Sequence, residues 1–400
     1  MKQKHAFIAV AVLSLCWLSL PAIHAADAVD VRTEDRIVQF VGDITEETYK
    51  SIKLLMEEEG GNKVPRDIPV ESPKFTIVRV DHSPKPYKYA EAYQKYVARD
   101  YAGAFTTFAE SYRDDFKDNP WVGPYIRYYA AEAAFREAKY NQFTDKGKKE
   151  WYGKAEAQYG KLLTEASKHR LAPDARIGQV KSQMRLDMFD AARTNLSAIA
   201  ASDYPTWTRE EGAVWSACLA VEEGNYHKAR GAKALREKQD DAARAEFAAA
   251  NKKYDEALGA LDTVIAKMKE AQPSLAYLAM LSKAYAYQGK EKYADAEKTF
   301  EIVGILAPDE EIRAEAFNSR GLSLRARGQP REALFSFLRV VVLHFGIPSE
   351  HEKALYHAAW SAREYYEKDM RRAIELARTC KTRYPNGVWT KKLTEEGWPL

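Results

Sequence analysis

The chain is poor in cysteine: Cys16, Cys218 and Cys380 are its whole complement in 400 residues. Thiols so few and so widely spaced exclude a disulfide framework. Cys218 lies in VWSACLAV and Cys380 in ELARTC, both helical in pattern, where a thiol packs as a small apolar side chain. Net charge is also nearly missing. The formal value is +3, of which Lys2 and Lys4 contribute two, leaving +1 for the rest of the chain. That excludes a long-range pull on nucleic acid or anionic lipid. Apolar residues make up 46% and mean hydropathy is -0.52, which excludes a disordered chain.

Catalytic signatures are missing as well. No G-x-S-x-G, Walker, G-x-G-x-x-G or EF-hand pattern occurs. His351–Glu352 opens like a zinc-protease helix, but Leu355 stands where the second histidine ligand belongs. His344, His351 and His357 have the spacing of ordinary helix histidines. The chain is therefore expected to be no enzyme and to carry no metal or cofactor.

One long apolar run is present, Ala6 to Leu20, behind Lys2 and Lys4 and before Pro21 and Ala25. At about fifteen residues it is shorter than the ~20 of a spanning helix and reads as the core of a signal peptide over 1–25. Leu15 ahead of Cys16 argues against lipidation. The protein is expected to be exported, periplasmic or secreted, with no transmembrane segment once the leader is gone.

Residues 35–81 read as a small β-rich module. Apolar runs are broken at Gly42–Asp43 and at Gly60–Gly61–Asn62, and short strands are expected over Lys63–Ile68 and Phe75–Val80. Glu46 to Glu59 also carries a helical period. The strand spacing and the Gly–Asp turn resemble small SH3-like or Sm-like barrels, which implies a twisted antiparallel sheet or barrel. His82 to Pro86 reads as a linker (82–86).

From 87 to 385 the period is helical. An aromatic or apolar residue, an Ala three positions on and an aromatic or apolar residue four further recur as Tyr101/Ala104/Phe108, Tyr152/Ala155/Tyr159, Phe189/Ala192/Leu196, Tyr226/Ala229, Tyr254/Ala257/Leu261, Tyr293/Ala296/Phe300, Pro330/Ala333/Phe337 and Met370/Ala373/Ala377. Helices crossing closely need a small residue at the contact and a large one a turn away. Two steps break the spacing. From Ala104 to Ala155 it is 51, which suggests an inserted loop over Tyr140–Lys149; from Ala229 to Ala257 it is 28, which suggests a lengthened helix or helix pair inside one unit. Gly224–Asn225–Tyr226 reads as a junction. Residues 386–400 read as a capping tail that lays Val388, Trp389 and Leu393 over the end of the stack.

With Phe317, Gly321, Leu324, Gly328, Ala333 and Phe337 in one copy, and Leu278, Leu281, Tyr285, Ala296, Phe300 and Pro308 in the copy before it, the chain resembles the tetratricopeptide repeat family. The resemblance implies a mostly α fold: an α-solenoid of six or seven helical hairpins after the β module. It also implies a scaffold that binds a protein or peptide in its concave groove. Aligned to the family pattern, Ala92 and Ala131 take the small-residue position, which puts Tyr89, Tyr93, Tyr96, Tyr125 and Tyr128 on the groove face. Asn318 and Arg325 take the corresponding place farther on. Tyrosine suits peptide recognition, a rigid ring with a polar tip; the alternative is that some of these rings fill gaps between repeats. Leader plus repeats is similar to bacterial tetratricopeptide proteins of the Tol-Pal and outer-membrane-assembly kind. That implies work in envelope organisation. An accessory subunit of an envelope enzyme, or a carbohydrate or envelope tether acting through the β module, are the other readings.

Overall fold

The computed structural model describes residues 26–58, 61–72, 74–111, 119–142, 144–367 and 369–400. The expected leader over 1–25 and Gly60 of the expected hairpin turn lie outside them.

Among the described residues five strands come first: β1 (Asp27–Arg32), β2 (Ile37–Glu47), β3 (Ser51–Glu57), β4 (Lys63–Pro69) and β5 (Thr76–Asp81). They form one antiparallel sheet in the order β4-β3-β2-β1-β5. Two-residue alternation builds its core: Val29, Val31, Ile52, Leu54 and Ile68 are buried on one face. The sheet thus begins at Asp27, eight residues before the expected boundary of 35. It also has two edges, β4 and β5, instead of closing as a barrel. Gly42 is not a turn but lies inside β2. A Cβ there would stand 2.4 Å from the Leu55 carbonyl oxygen of the neighbouring strand, so only glycine fits. The stretch with the helical period is strand over Ser51–Glu57, because Ile52 and Leu54 are both needed on the buried face.

Seven helical hairpins follow among the described residues: α1 (Tyr87–Val97) with α2 (Tyr101–Ser111), α3 (Val122–Arg136) with α4 (Asp145–Glu165), α5 (Ala172–Arg185) with α6 (Phe189–Ala201), α7 (Thr206–Arg236) with α8 (Asp240–Ala271), α9 (Pro273–Gly289) with α10 (Tyr293–Leu306), α11 (Glu310–Ala326) with α12 (Pro330–Leu343), and α13 (Pro348–Tyr366) with α14 (Arg371–Arg383). A short α15 (Val388–Glu395) closes the described chain. Ala104, Ala155, Ala192, Ala257, Ala296, Ala333 and Ala373 are fully buried on the second helices. Gly321 shows what the small positions are for: a Cβ there would meet the Phe337 ring at 2.5 Å.

Two expectations need correction. Gly224–Asn225–Tyr226 is no junction. α7 runs unbroken through it for 31 residues and α8 for 32, so the region is one lengthened hairpin, and Ala229 is exposed. Gly224 is small because the Tyr254 ring lies where its Cβ would be. The inserted loop over Tyr140–Lys149 is mostly helix. A π-turn at Glu137–Asn141 ends α3, and α4 starts at Asp145 with Thr144 Oγ1 accepting from Gly147 N at 3.0 Å.

Five of the hairpin turns share one backbone design. Arg99, Asp187, Lys238, Glu291 and Gly328 have positive φ. The residue after each donates its N–H five positions back: Asp100 to Lys95 and Gln329 to Leu324 at 3.0 Å, and Met188 to Gln183, Gln239 to Ala234 and Lys292 to Tyr287 at 2.9 Å. These are Schellman closures. At the far end α15 lies over the stack, with Leu393 fully buried. The Glu352 carboxylate of α13 accepts from Trp389 N (2.9 Å) and Thr390 N (3.1 Å) at its first turn. Cys218 and Cys380 are buried, and burial pushes each thiol up to about 12.

Candidate functional site

The sheet is docked on the first hairpins through a buried ionic knot. β2 ends at Glu47, whose side chain is 4% exposed. Arg170 Nε, from the connection between α4 and α5, donates to Glu47 Oε1 at 2.6 Å, and the Tyr125 hydroxyl of α3 donates to the same oxygen at 2.8 Å. Arg170 Nη2 in turn donates to the Tyr125 oxygen at 3.0 Å. His82 Nε2 stands 2.9 Å from Glu47 Oε2, and its Nδ1 stands 3.7 Å from Asp27. Burial opposes the Glu47 charge. The nearby His169 imidazole, 3.5 Å away, the hydrogen bond with His82 and the Arg170 guanidinium outweigh it and hold the carboxyl well below the usual range. Burial likewise opposes a charge on His82, but the Asp27 and Glu47 carboxylates beside it prevail and raise its pKa. The imidazole stacks flat on Trp121, with centroids 4.4 Å apart. His82 is therefore a buried clasp, not a linker residue.

Beside this knot lies a cleft of about 490 Å³. One wall is β5, residues Ile77 to Asp81; the other carries Tyr89, Tyr93, Trp121, Tyr125, Tyr128 and Tyr129; Arg170 and Asp174 close the end. Four of the seven residues singled out from the sequence thus meet in one place. Tyr89 (5% exposed) and Tyr125 (4%) belong to the core as well as to the cleft, while Tyr93 is 37% exposed and free to meet a partner. Tyr96 lies beside it, half-buried, with its centroid 6.2 Å from Tyr93 and 5.5 Å from Tyr129. Asn318 and Arg325 are not with them. Asn318 is fully buried and its amide donates to the Glu350 backbone oxygen at 2.9 Å and to its carboxylate at 2.7 Å; Arg325 is paired with Glu364.

Sequence reasoning missed Trp121, Tyr129, Arg170 and Asp174. Tyr129 carried the available signal, since it sits in the run Tyr125, Tyr128, Tyr129. Asp174 stands in the first turn of α5. Burial first, then the Glu211 and Glu132 carboxylates, raise its pKa to about 6 against the pull of Arg170 and Lys181. Tyr128 senses the same acids: burial and then Glu132 and Asp174 hold its hydroxyl well above the usual range.

Elsewhere the stack meets itself. Lys139 Nζ lies 2.5 Å from Glu311, and the Tyr140 hydroxyl donates to both Glu311 oxygens at 2.9 Å, across 171 positions of sequence. A hollow of about 560 Å³ follows one face of α14, but every residue lining it belongs to that single helix, so it is an open surface and not a cleft. Among the described residues no group of His, Cys, Asp and Glu has the arrangement to hold a metal, and no helix is long and apolar enough to cross a membrane.

No family model matches the chain, and no curated protein matches it. Among solved structures it is similar to a tetratricopeptide repeat protein from Parabacteroides merdae ATCC 43184, at 14% identity and a TM-score of 0.32, over 68% of this chain and 100% of that one. It is also similar to the tetratricopeptide repeat domain of P58(IPK), at 14% identity and a TM-score of 0.24, over 77% and 96%. Overlaps so low leave the architecture to stand on the chain's own hairpins. Those hairpins, with their buried alanines and repeated turns, make it a tetratricopeptide-like helical stack with a five-stranded sheet docked on its first units.

Proposed function

We propose that the protein is an exported, non-catalytic scaffold that holds a protein or peptide partner in the organisation or assembly of a bacterial cell envelope. The leader supports export, and the helical stack supports scaffolding. The observation that carries the reading is the cleft: about 490 Å³, walled by five tyrosines and a tryptophan on one side and a strand on the other. Aromatic walls of this kind supply contact area at low entropic cost. An accessory role to an envelope enzyme, or tethering through the sheet, would use the same surface and would differ in which partner is captured.

Capture from envelope extracts tests this. The Tyr93→Ala/Tyr129→Ala variant leaves the buried Tyr89 and Tyr125 in place. It should fold normally and retain the partners of the unaltered protein at least tenfold less. Equal retention by both proteins would overturn the reading.

A further inference from the structure

The cleft has a direction and an unmatched charge. β5 is an outer strand of the sheet, paired with β1 and, among the described residues, with nothing on its other side. Successive side chains of a strand point to opposite faces. Yet five consecutive residues, Ile77 to Asp81, line the cleft. That is possible when the cleft runs along the strand's edge, where the unpaired N–H and C=O groups are. The sequence TIVRVD is rich in β-formers and has no proline. Its guards against indiscriminate pairing are a bulge that leaves Val78 without a partner on β1 and the charge of Arg79.

The charges of the walls cancel, with one exception. Arg79 pairs with Asp30 (2.9 Å), Lys85 with Asp81, and Arg170 and His82 with Glu47. Asp174 makes no hydrogen bond or ion pair with any described residue. Its neighbours on the cleft wall are tyrosines, whose ring faces attract cations. An acidic occupant would find every cation already neutralised. A basic one would find a carboxylate that no hydrogen bond or ion pair occupies, with Arg170 and Lys181 acting on it only from a distance.

We propose that this cleft takes an extended peptide segment bearing a lysine or arginine, which adds to the sheet along β5 and sets its cationic side chain among Tyr93, Tyr128 and Tyr129 against Asp174. The proposal rests on the reading of the cleft as the partner site. Strand addition supplies affinity through main-chain hydrogen bonds, and the pocket supplies the choice of side chain.

The test uses four pools of acetylated, amidated octapeptides, randomised except for a central Lys, Arg, Gln or Glu, passed over the immobilised protein. The Lys and Arg pools should be retained at least tenfold over the Gln and Glu pools. Asp174→Asn should remove that preference without lowering the melting temperature. N-methylation of alternate amides in the best peptide should cut binding at least tenfold. Retention without a basic preference, yet lost in Tyr93→Ala/Tyr129→Ala, would overturn the proposal and leave the partner site standing. Binding of a basic peptide indifferent to N-methylation would overturn strand addition. Retention of no pool, together with envelope partners indifferent to the tyrosine changes, would overturn both.

Discussion

Glu47 is the residue whose loss the molecule can least absorb. Its carboxylate is the shared acceptor of Arg170, Tyr125 and His82, and removing its charge leaves the Arg170 guanidinium without its carboxylate partner. Glu47→Gln should cost about 3–5 kcal/mol, the usual consequence of breaking a buried ion pair from one side. Urea unfolding measures it; a cost under 1 kcal/mol would mean that the knot is not what docks the sheet. The knot also has a pH window. Glu47 is depressed in the folded state, so its contribution is present above the unfolded value of 4.5 and is lost as pH falls through the depressed one. His82 is raised, so its contribution is present below 6.5 and is lost as pH rises through the raised value. Sheet docking should be tightest between about 4.5 and 6.5, read as hydrogen-exchange protection of β1 and β2. Asp174 runs the other way. A carboxyl raised to about 6 against an ordinary 3.8 weakens the fold as pH rises between them, so Asp174→Asn should stabilise at pH 7 by about 1 kcal/mol or more. A melting temperature lowered by several degrees would contradict this. The cleft residues were legible in part. Tyr89, Tyr93, Tyr125 and Tyr128 show themselves by helical spacing, whereas Glu47, His82 and the pair Arg170 and Asp174 come from three separate segments, and no local pattern announces that they meet.

At the scale of elements, the hairpin turn does much of the specifying. In the five Schellman turns the buried alanine follows the positive-φ residue by five positions: Arg99 and Ala104, Asp187 and Ala192, Lys238 and Ala243, Glu291 and Ala296, Gly328 and Ala333. Each alanine N–H donates to the residue four before it. This rule finds what a count of alanine anchors missed. In α8 the residue equivalent to Ala333 is Ala243, 1% exposed, and Phe247 fills the role of Phe337, packed on Gly231 as Phe337 is on Gly321. Tyr226 and Ala229 fit the same spacing by coincidence, because alanine is abundant throughout this hairpin; Ala229 lies exposed on α7. Four of the five turns bear a side chain at positive φ and carry the strain, while Gly328 does not. Gly328→Ala should therefore cost about 1 kcal/mol, entirely in backbone conformation, since a Cβ there meets nothing within 4 Å. No loss in a thermal melt would contradict that account of the turn.

At the scale of the whole molecule, one end of the stack is capped and one seam is left open. α15 covers the last hairpin, with Leu393 and Trp398 buried. The π-turn after α3 reaches α11 through Lys139 and Tyr140. The sheet, in contrast, is fastened at Glu47 and at Tyr49, whose hydroxyl donates to Asp203 at 2.8 Å, yet leaves β5 apart from the tyrosines of α1 and α3. The helical stack was readable from sequence because each hairpin repeats a local rule. The seam was not, because it depends on how a non-repeating sheet sits on the first repeats. The central claim is that partners bind at this seam. In-cell photocrosslinking from benzoylphenylalanine at Val78, at Tyr93 and at Tyr365 tests it most directly, since all three side chains are exposed and only the first two line the cleft. Adducts with the same partner from Val78 and Tyr93, and none from Tyr365, are predicted; adducts from Tyr365 alone would contradict the claim.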